Sequence, residues 1–398
     1  MRQMSMDESN SPAQVVHDGL KGVVAAKTQV AEVDGKSGKL TLRGYDISEL
    51  SGNVEFEEVC YLLWHGKLPN RTEYSALREE MAAARELPEE TIQTLRVCAP
   101  KADGMDYLRI GASTLTIGDP SVQWPINVPA DVEDNRRRAA RLQAQVAAIV
   151  AHGYRLGEGL EIVAPKREHS LAQGFLYMLE GKEPSKARVA GLNAYLVAVA
   201  EHGFNASTFA GRVIQSTNSD MVSALTGAIG ALKGWLHGGV PGPVLDMLDA
   251  IGTAENAQPW ISAALDRKER IMGFGHRVYQ VRDPRAALLS DACERLAKET
   301  GESHLLDLTK VVEQTTIDEL EKRKPGNKLR ANVELYAALI LHAVGVPSEI
   351  FTPIFAIGRT SGWTAHMLEQ LPKSLIIRPE SIYDGEKGKK FVPMDERD

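Results

Sequence analysis

The stretch IMGFGHRVYQVRDPR, residues 271–285, carries more chemistry than any other part of this chain. Gly273 and Gly275 flank Phe274, so the backbone there can take φ values that other residues avoid, and space is left beside His276 for a ligand. Asp283 and Pro284 precede Arg285, and a proline biases the residue before it toward extended backbone, so an extended or turned approach to Arg285 is expected. An imidazole near a guanidinium can hold a carboxylate and polarise the carbonyl next to it. Taken alone, the stretch fits equally well a buried histidine beside a surface loop.

The whole chain narrows the choice. Its 398 residues, 43% of them hydrophobic, suffice for two domains or one large one. With 46 basic against 53 acidic residues and a net charge of −7, nothing marks a general binder of nucleic acid or of membrane surfaces. Positive charge for an anionic substrate must therefore be gathered locally. Cys60, Cys98 and Cys293 show no metal-like spacing and fit free thiols in a reducing compartment. The opening MRQMSMDESNSPAQ lacks the apolar core of a signal peptide, and no window approaches the roughly 20 apolar residues of a membrane span. A cytoplasmic protein is expected.

Patterning predicts a mainly helical chain. Residues 22–28 and 39–43 flank the turn-rich Asp34, Gly35, Lys36, Ser37 and Gly38, which predicts a small β-hairpin. From Val54 onward helical spacing dominates, with Val59, Leu62 and Leu63 on one face and Leu142, Val146 and Ile149 on another. The basic run Arg136, Arg137 and Arg138 reads as a solvated helix start, the wrong end for the helix dipole. Residues 117–135 carry Pro120, Pro125 and Pro129 and are expected to form a surface loop. A helix over 186–201 would deliver His202 and Gly203 at its C-terminal end.

A second helix, from about Asp220, holds Ala224, Gly227, Ala228, Gly230, Ala231 and Gly234. Each glycine there costs about 1 kcal/mol against alanine, so close approach of another backbone must compensate. A subunit interface is the preferred account, an internal helix pair the other. The helix is expected to end at Leu236, His237, Gly238 and Gly239, the glycines serving as C-cap.

Five of the ten histidines adjoin a glycine, so adjacency alone selects none. The surroundings of three of them do: His202 leads into FNASTFAGR, His237 lies in LHGGVPGP, and His276 in GFGHRVYQVRDPR. Together with ANVELYAALILHAVGVP and FAIGRTSGWTAHMLEQ, and with GVVAAKT, LRGYDISEL and RPESIYDG toward the ends, these runs resemble the citrate synthase family over nearly the whole chain.

That resemblance implies a mainly helical, two-domain, citrate-synthase-like fold with a small N-terminal β-hairpin. The large domain would comprise residues 1–238 and 345–398, and a small domain, 239–344, would close over the substrates. It implies condensation of acetyl-CoA with oxaloacetate by a homodimer, with no cofactor and no metal, acetyl-CoA being a substrate. By position, His237 corresponds to the histidine that binds the thioester carbonyl, His276 to the one that polarises and protonates the ketone, and His202 to a further oxaloacetate ligand. Glu334 falls where the family has its base, usually an aspartate. Arg285, Arg359 and Arg378 match the arginines that clamp the dicarboxylate, Arg378 supplied by the neighbouring subunit. Gly238, Gly239 and Gly242 lie where the family passes between domains, and can serve as hinge, as helix caps, or both.

Three departures stand out. Glu334 is one methylene longer than aspartate, and an error of about an ångström can cost about 10²-fold in rate. Gln280 stands where many relatives carry a base for CoA phosphates, leaving Arg277, Arg282 or the basic run over 322–328 for that charge. The run Asp103, Gly104, Met105, Asp106 replaces a pattern with histidine and proline. A 2-methylcitrate synthase using propionyl-CoA shares the machinery, since one methylene in an apolar pocket is worth about 1–3 kcal/mol. From another class, a catalytically weakened helical dimer that binds a metabolite would not need the three histidines and three arginines. A zinc site built on the histidines would lack the short ligand pair such sites often use.

Overall fold

The computed structural model describes residues 15–117, 131–238, 242–276, 278–301, 303–373 and 375–397. Among them are sixteen α-helices and one three-stranded sheet, so the mainly helical expectation holds. Residues 28–376 form one compact unit. The second unit takes in the N-terminal 27 residues and residues 377–398; among its described residues, 15–27 and 377–397, the regular elements are single 3₁₀ turns at Asp18–Leu20 and Met394–Glu396, and it contains Arg378.

The sheet shifts the hairpin expected from sequence. Its strands are β1 (Ala31–Asp34), β2 (Lys39–Leu42) and β3 (Tyr45–Asp46), paired antiparallel with Asp34 opposite Lys39. Residues 22–28 are not a strand; the turn sets the register instead. Asp34 accepts hydrogen bonds from the Lys36 and Ser37 amides at 2.9 and 3.2 Å and from the Ser37 hydroxyl at 2.6 Å, and Gly38 takes φ +68°. An aspartate that caps its own turn fixes where the chain reverses. The turn then docks: the Gln280 amide donates to the Gly35 carbonyl at 2.8 Å.

A 26-residue helix, α1 (Val132–Gly157), runs through the core. The proline loop lies mostly outside the described residues, but it ends before Val132, because Asp131 caps the helix there through the Glu133 amide at 3.0 Å. Glu133 and Asp134 occupy the first turn, so the dipole meets acid first. Arg136, partly exposed, pairs with Glu133 at 3.1 Å and the exposed Arg137 with Asp134, whereas Arg138 is buried, so the basic run is solvated at Arg137, partly so at Arg136, and not at Arg138.

Four further helices frame the site: α2 (Lys186–Val199), α3 (Ala206–Ser216), α4 (Met221–Leu232) and, near the C-terminus of the unit, α5 (Phe351–Gln370). Helix α5 packs on α1, α2, α3 and α4. Two glycines a turn apart allow this. A Cβ at Gly358 would lie 2.5 Å from Val199 Cγ2, and one at Gly362 would lie 2.1 Å from Glu201 Oε2 and 2.5 Å from the Ala200 carbonyl oxygen. Gly362→Ala is therefore expected to cost about 1–3 kcal/mol through forced overpacking, read as a lower melting temperature. An unchanged melt would show that the α2–α5 contact can open freely.

The small-residue helix is shorter than expected. It stops at Leu232 with Lys233 as C-cap, and His237 sits in a following turn, its amide donating to the Gly234 carbonyl at 2.8 Å. Gly238 is not the cap; a Cβ there would lie 2.1 Å from the Leu232 carbonyl oxygen, so glycine permits the chain to fold back. Part of the small stripe is filled internally by α3: a Gly227 Cβ would meet Ile214 Cδ1 at 2.1 Å, and a Gly211 Cβ would lie 3.6 Å from that of Ala228. Gly230 has no such neighbour within 4 Å. The Asp103–Asp106 run gains a structural reading: Asp103 caps the Gly104–Ser113 helix, and Lys233 reaches Asp106 and Asp103 at 2.5 and 3.3 Å.

No helix among the described residues is long and apolar enough to cross a membrane.

Candidate active site

A short backbone seam holds the 273–283 loop. Gly275 donates to the Arg330 carbonyl at 2.9 Å, Asn332 to that of Gly273 at 2.8 Å, and Asp283 to that of Ala331 at 3.2 Å. The Asn332 side-chain amide closes on the Gly275 carbonyl at 2.9 Å, and its oxygen caps the Val333–Ala343 helix through the Glu334 amide at 2.9 Å. Gly273 and Gly275 take φ of +78° and +88°, as their sequence context predicts, and a Gly273 Cβ would lie 2.8 Å from that of Leu335. One pairing therefore positions both His276 and Glu334.

Within the loop, His276 Nδ1 accepts hydrogen bonds from the Val278 and Tyr279 amides at 3.0 and 3.1 Å. Two donors on one nitrogen place the ring proton on Nε2. Burial, aided by the Arg285 guanidinium and partly opposed by Asp283, pushes the imidazole down to about 4, so the ring is neutral. The chain then enters the Pro284–Thr300 helix, with Asp283 as extended N-cap and Pro284 at its first position. Arg285 is thus helical; only the cap before it is extended. Both guanidinium and carboxylate are buried, joined Nε to Oδ1 at 3.0 Å and Nη2 to Oδ2 at 2.7 Å.

His202 follows the end of α2 and packs edge-on to His276, ring centroids 5.1 Å apart. Its imidazole lies well below its usual range through burial and then through Arg285, Arg359 and His276. Arg359, on α5, is buried, with its Nε donating to the Val199 carbonyl at 2.8 Å. Burial lowers it to about 10, an effect that the Glu201 carboxylate opposes. Glu201 is itself fully buried and lies 3.2 Å from His366 Nε2. Two neutral imidazoles thus lie beside two buried guanidiniums, Arg285 paired with Asp283 and Arg359 held by the Val199 carbonyl. That combination suits a dianion with a carbonyl between its carboxylates.

The His237 imidazole is held by the N-terminus of α3: the Ser207 amide donates to Nε2 at 3.2 Å, and the Ser207 hydroxyl lies 2.7 Å from the same nitrogen. Nε2 is therefore the acceptor and Nδ1 carries the proton. The Trp363 indole of α5 donates to the Ser207 hydroxyl at 3.0 Å. Glu334 is half-buried, and burial raises its carboxyl above the usual glutamate value despite Arg285 and Arg270. A carboxylate so raised is a stronger base once ionised.

The remaining expected residues are placed unevenly. Arg282 is held bidentate by Glu313 at 2.7 and 2.9 Å, and Tyr336 donates to the same carboxylate at 2.6 Å. Arg277 and Gly239 lie outside the described residues. In the 322–328 run, Lys322 pairs with Glu319 at 2.9 Å and Lys328 reaches Gln280 at 3.2 Å. Arg378 is exposed in the second unit.

Sequence reasoning missed Asp283, Ser207, Asn332 and Tyr279. An Asp-Pro pair, and an asparagine, each standing before a helical pattern are N-cap signals that point to Asp283 and Asn332; Ser207 and the Tyr279 phenol act through contacts that no local pattern encodes. His202, His276 and Asp283 also bring ligand atoms within 4.8 Å of one another, a cluster that sequence spacing does not show. It suits a cation poorly: both Asp283 oxygens accept from Arg285, His276 Nδ1 is taken by two amides, and two guanidiniums exert their charge on His202.

Comparison with known proteins covers the same ground. The family model for the citrate synthase C-terminal domain matches residues 19–380. The chain is 43% identical over 380 residues to citrate synthase 2 of Bacillus subtilis, covering 95% of this chain and 98% of that one. It is 35% identical over 380 residues to the 2-methylcitrate synthase of Shewanella oneidensis, covering 95% and 97%. Among solved structures, citrate synthase from Pyrobaculum aerophilum superposes with a TM-score of 0.90 at 33% identity, covering both chains fully. A ternary complex of the Thermoplasma acidophilum citrate synthase with carboxymethyl coenzyme A and oxaloacetate gives 0.86 at 28% identity, covering 96% of this chain and 100% of that one. Sequence, fold and family match run over the same residues, and on them this chain belongs to the citrate synthase family.

Proposed function

We propose that the chain condenses acetyl-CoA with oxaloacetate and water to give citrate and CoA. The observation that carries this is the seam that sets His276, with a neutral Nε2–H, and the Glu334 carboxyl on one short backbone pairing beside the buried Arg285. In this reading Glu334 takes a proton from the acetyl methyl while His237 Nδ1–H stabilises the charge developing on the thioester oxygen. The new carbon nucleophile attacks the ketone carbon of oxaloacetate, and His276 Nε2–H supplies the proton to the resulting alkoxide. Arg285, Arg359 and His202 hold the dicarboxylate. Water then hydrolyses the citryl thioester, releasing citrate and CoA.

Purified protein is expected to release free CoA thiol from acetyl-CoA only with oxaloacetate present and without added metal. Activity that ignores oxaloacetate, or that a chelator abolishes, refutes the proposal. Likeness to a 2-methylcitrate synthase supports propionyl-CoA as a second acyl donor, at a discrimination of about 10–200-fold or less.

Because His276 stays neutral down to about 4 while burial raises Glu334, the acid limb of kcat belongs to Glu334. Its sign follows directly: a protonated carboxyl cannot accept the methyl proton, so rate falls as pH drops through the raised value. In kcat–pH profiles Glu334→Asp should move that limb; a limb that stays fixed assigns it to another group.

The active form we propose is a homodimer in which Arg378 of each chain completes the neighbouring site, with residues 239–344 as the closing domain and Gly238 and Gly242 at its hinge. Arg277, Arg282 and the 322–328 run are the bases proposed for the CoA phosphates. Arg282 offers only what Glu313 leaves of its guanidinium. Three free thiols, Cys60 and Cys293 buried, support a cytoplasmic setting.

A further inference from the structure

Tyr279 touches both histidines assigned above to oxaloacetate. Its amide donates to His276 Nδ1 at 3.1 Å, and its phenol oxygen lies 3.2 Å from His202 Nε2. The ring packs 4.8 Å from His276 and 5.4 Å from His202, centroid to centroid, and is 95% buried, at 5% exposure. Among the described residues His202 is the phenol's hydrogen-bond partner. A buried hydroxyl left without an acceptor costs about 1–3 kcal/mol, so the phenol donates and Nε2 accepts.

We propose that Tyr279 is a positioning residue whose phenol fixes the proton of His202 on Nδ1, while its amide joins that of Val278 in keeping the proton of His276 on Nε2. The two rings thereby present N–H donors of opposite tautomer to one ligand without adding charge to a site that already holds two buried guanidiniums. The inference rests on the proposed oxaloacetate site for its consequence, but the tautomers themselves are properties of the protein without substrate.

The nitrogen spectrum of protein labelled with [15N]histidine separates the two. His202 is identified by its loss in His202→Asn. The native protein should show His202 protonated on Nδ1 and His276 on Nε2. Tyr279→Phe keeps the ring and both amide donors, so His276 should be unchanged while His202 shifts toward the Nε2–H form. In turnover, KM for oxaloacetate should rise about tenfold, the worth of one buried hydrogen bond, with kcat and KM for acetyl-CoA within about twofold. A native His202 protonated on Nε2 overturns the proposal, as does a Tyr279→Phe protein with unchanged tautomer and unchanged KM. Failure of the condensation reading would instead appear as no oxaloacetate-dependent thiol release in the native protein, with the spectra still decisive for Tyr279.

Discussion

Replacing Glu334 by glutamine should lower kcat by about 10²-fold or more while leaving oxaloacetate binding nearly intact. The expectation follows from where the residue sits. Its amide is pinned by Asn332, and burial raises its carboxyl, whereas the groups that would hold the dicarboxylate, Arg285 and Arg359, are held by Asp283 and the Val199 carbonyl instead. Glutamine keeps the volume and loses only the ability to accept a proton. Calorimetric titration with oxaloacetate alongside steady-state turnover separates the two effects. Normal turnover in Glu334→Gln would mean another residue removes the methyl proton. Glu334→Asp should also lose rate, because the seam fixes the backbone for the longer side chain and a shortfall of about an ångström is enough to matter.

The largest stability effect is expected at Asp283. Both it and Arg285 are buried, and removing one member of such a pair leaves a desolvated charge, typically worth about 3–5 kcal/mol. Asp283→Ala also removes the N-cap of the Pro284–Thr300 helix, about another 1 kcal/mol. Asp283→Asn keeps a good cap and loses only the charge, so it should unfold at denaturant concentrations between those of native protein and Asp283→Ala. If the alanine variant unfolded like the native chain, the guanidinium would have found another partner, and its hold on a substrate carboxylate would have to be re-examined by the KM for oxaloacetate.

The histidines and Arg285 were readable because they lie in runs where glycine, proline and charge recur in a recognisable order. The helices were readable from periodicity, as with Val59, Leu62 and Leu63 in the Phe56–His65 helix. The structure departs from the sequence pattern locally. The sequence predicts the first strand over residues 22–28, but the Asp34 turn decides which residues can pair, and the strand is Ala31–Asp34. The sequence predicts that the small-residue helix runs to Leu236, yet Gly234 and the fold-back at Gly238 end it at Leu232, leaving Trp235 and Leu236 exposed. Tyr279 and Ser207 could not be found at all, since what marks them is a neighbour 77 or 30 residues away.

The seam between the 273–283 loop and residues 330–332 also bears on how such a protein can change without losing its chemistry. His276 and Glu334, the proposed proton donor and acceptor, are registered to each other across a few hydrogen bonds, not along the two long helices that separate them in the chain. Those helices meet near Gly301, an exposed left-handed position with open space around it. Residues added or lost there alter a solvent-facing bend and leave the spacing of donor and acceptor untouched. The bend near Gly301 is therefore free to drift in length, while a single deletion within 330–332 would pull His276 and Glu334 out of step.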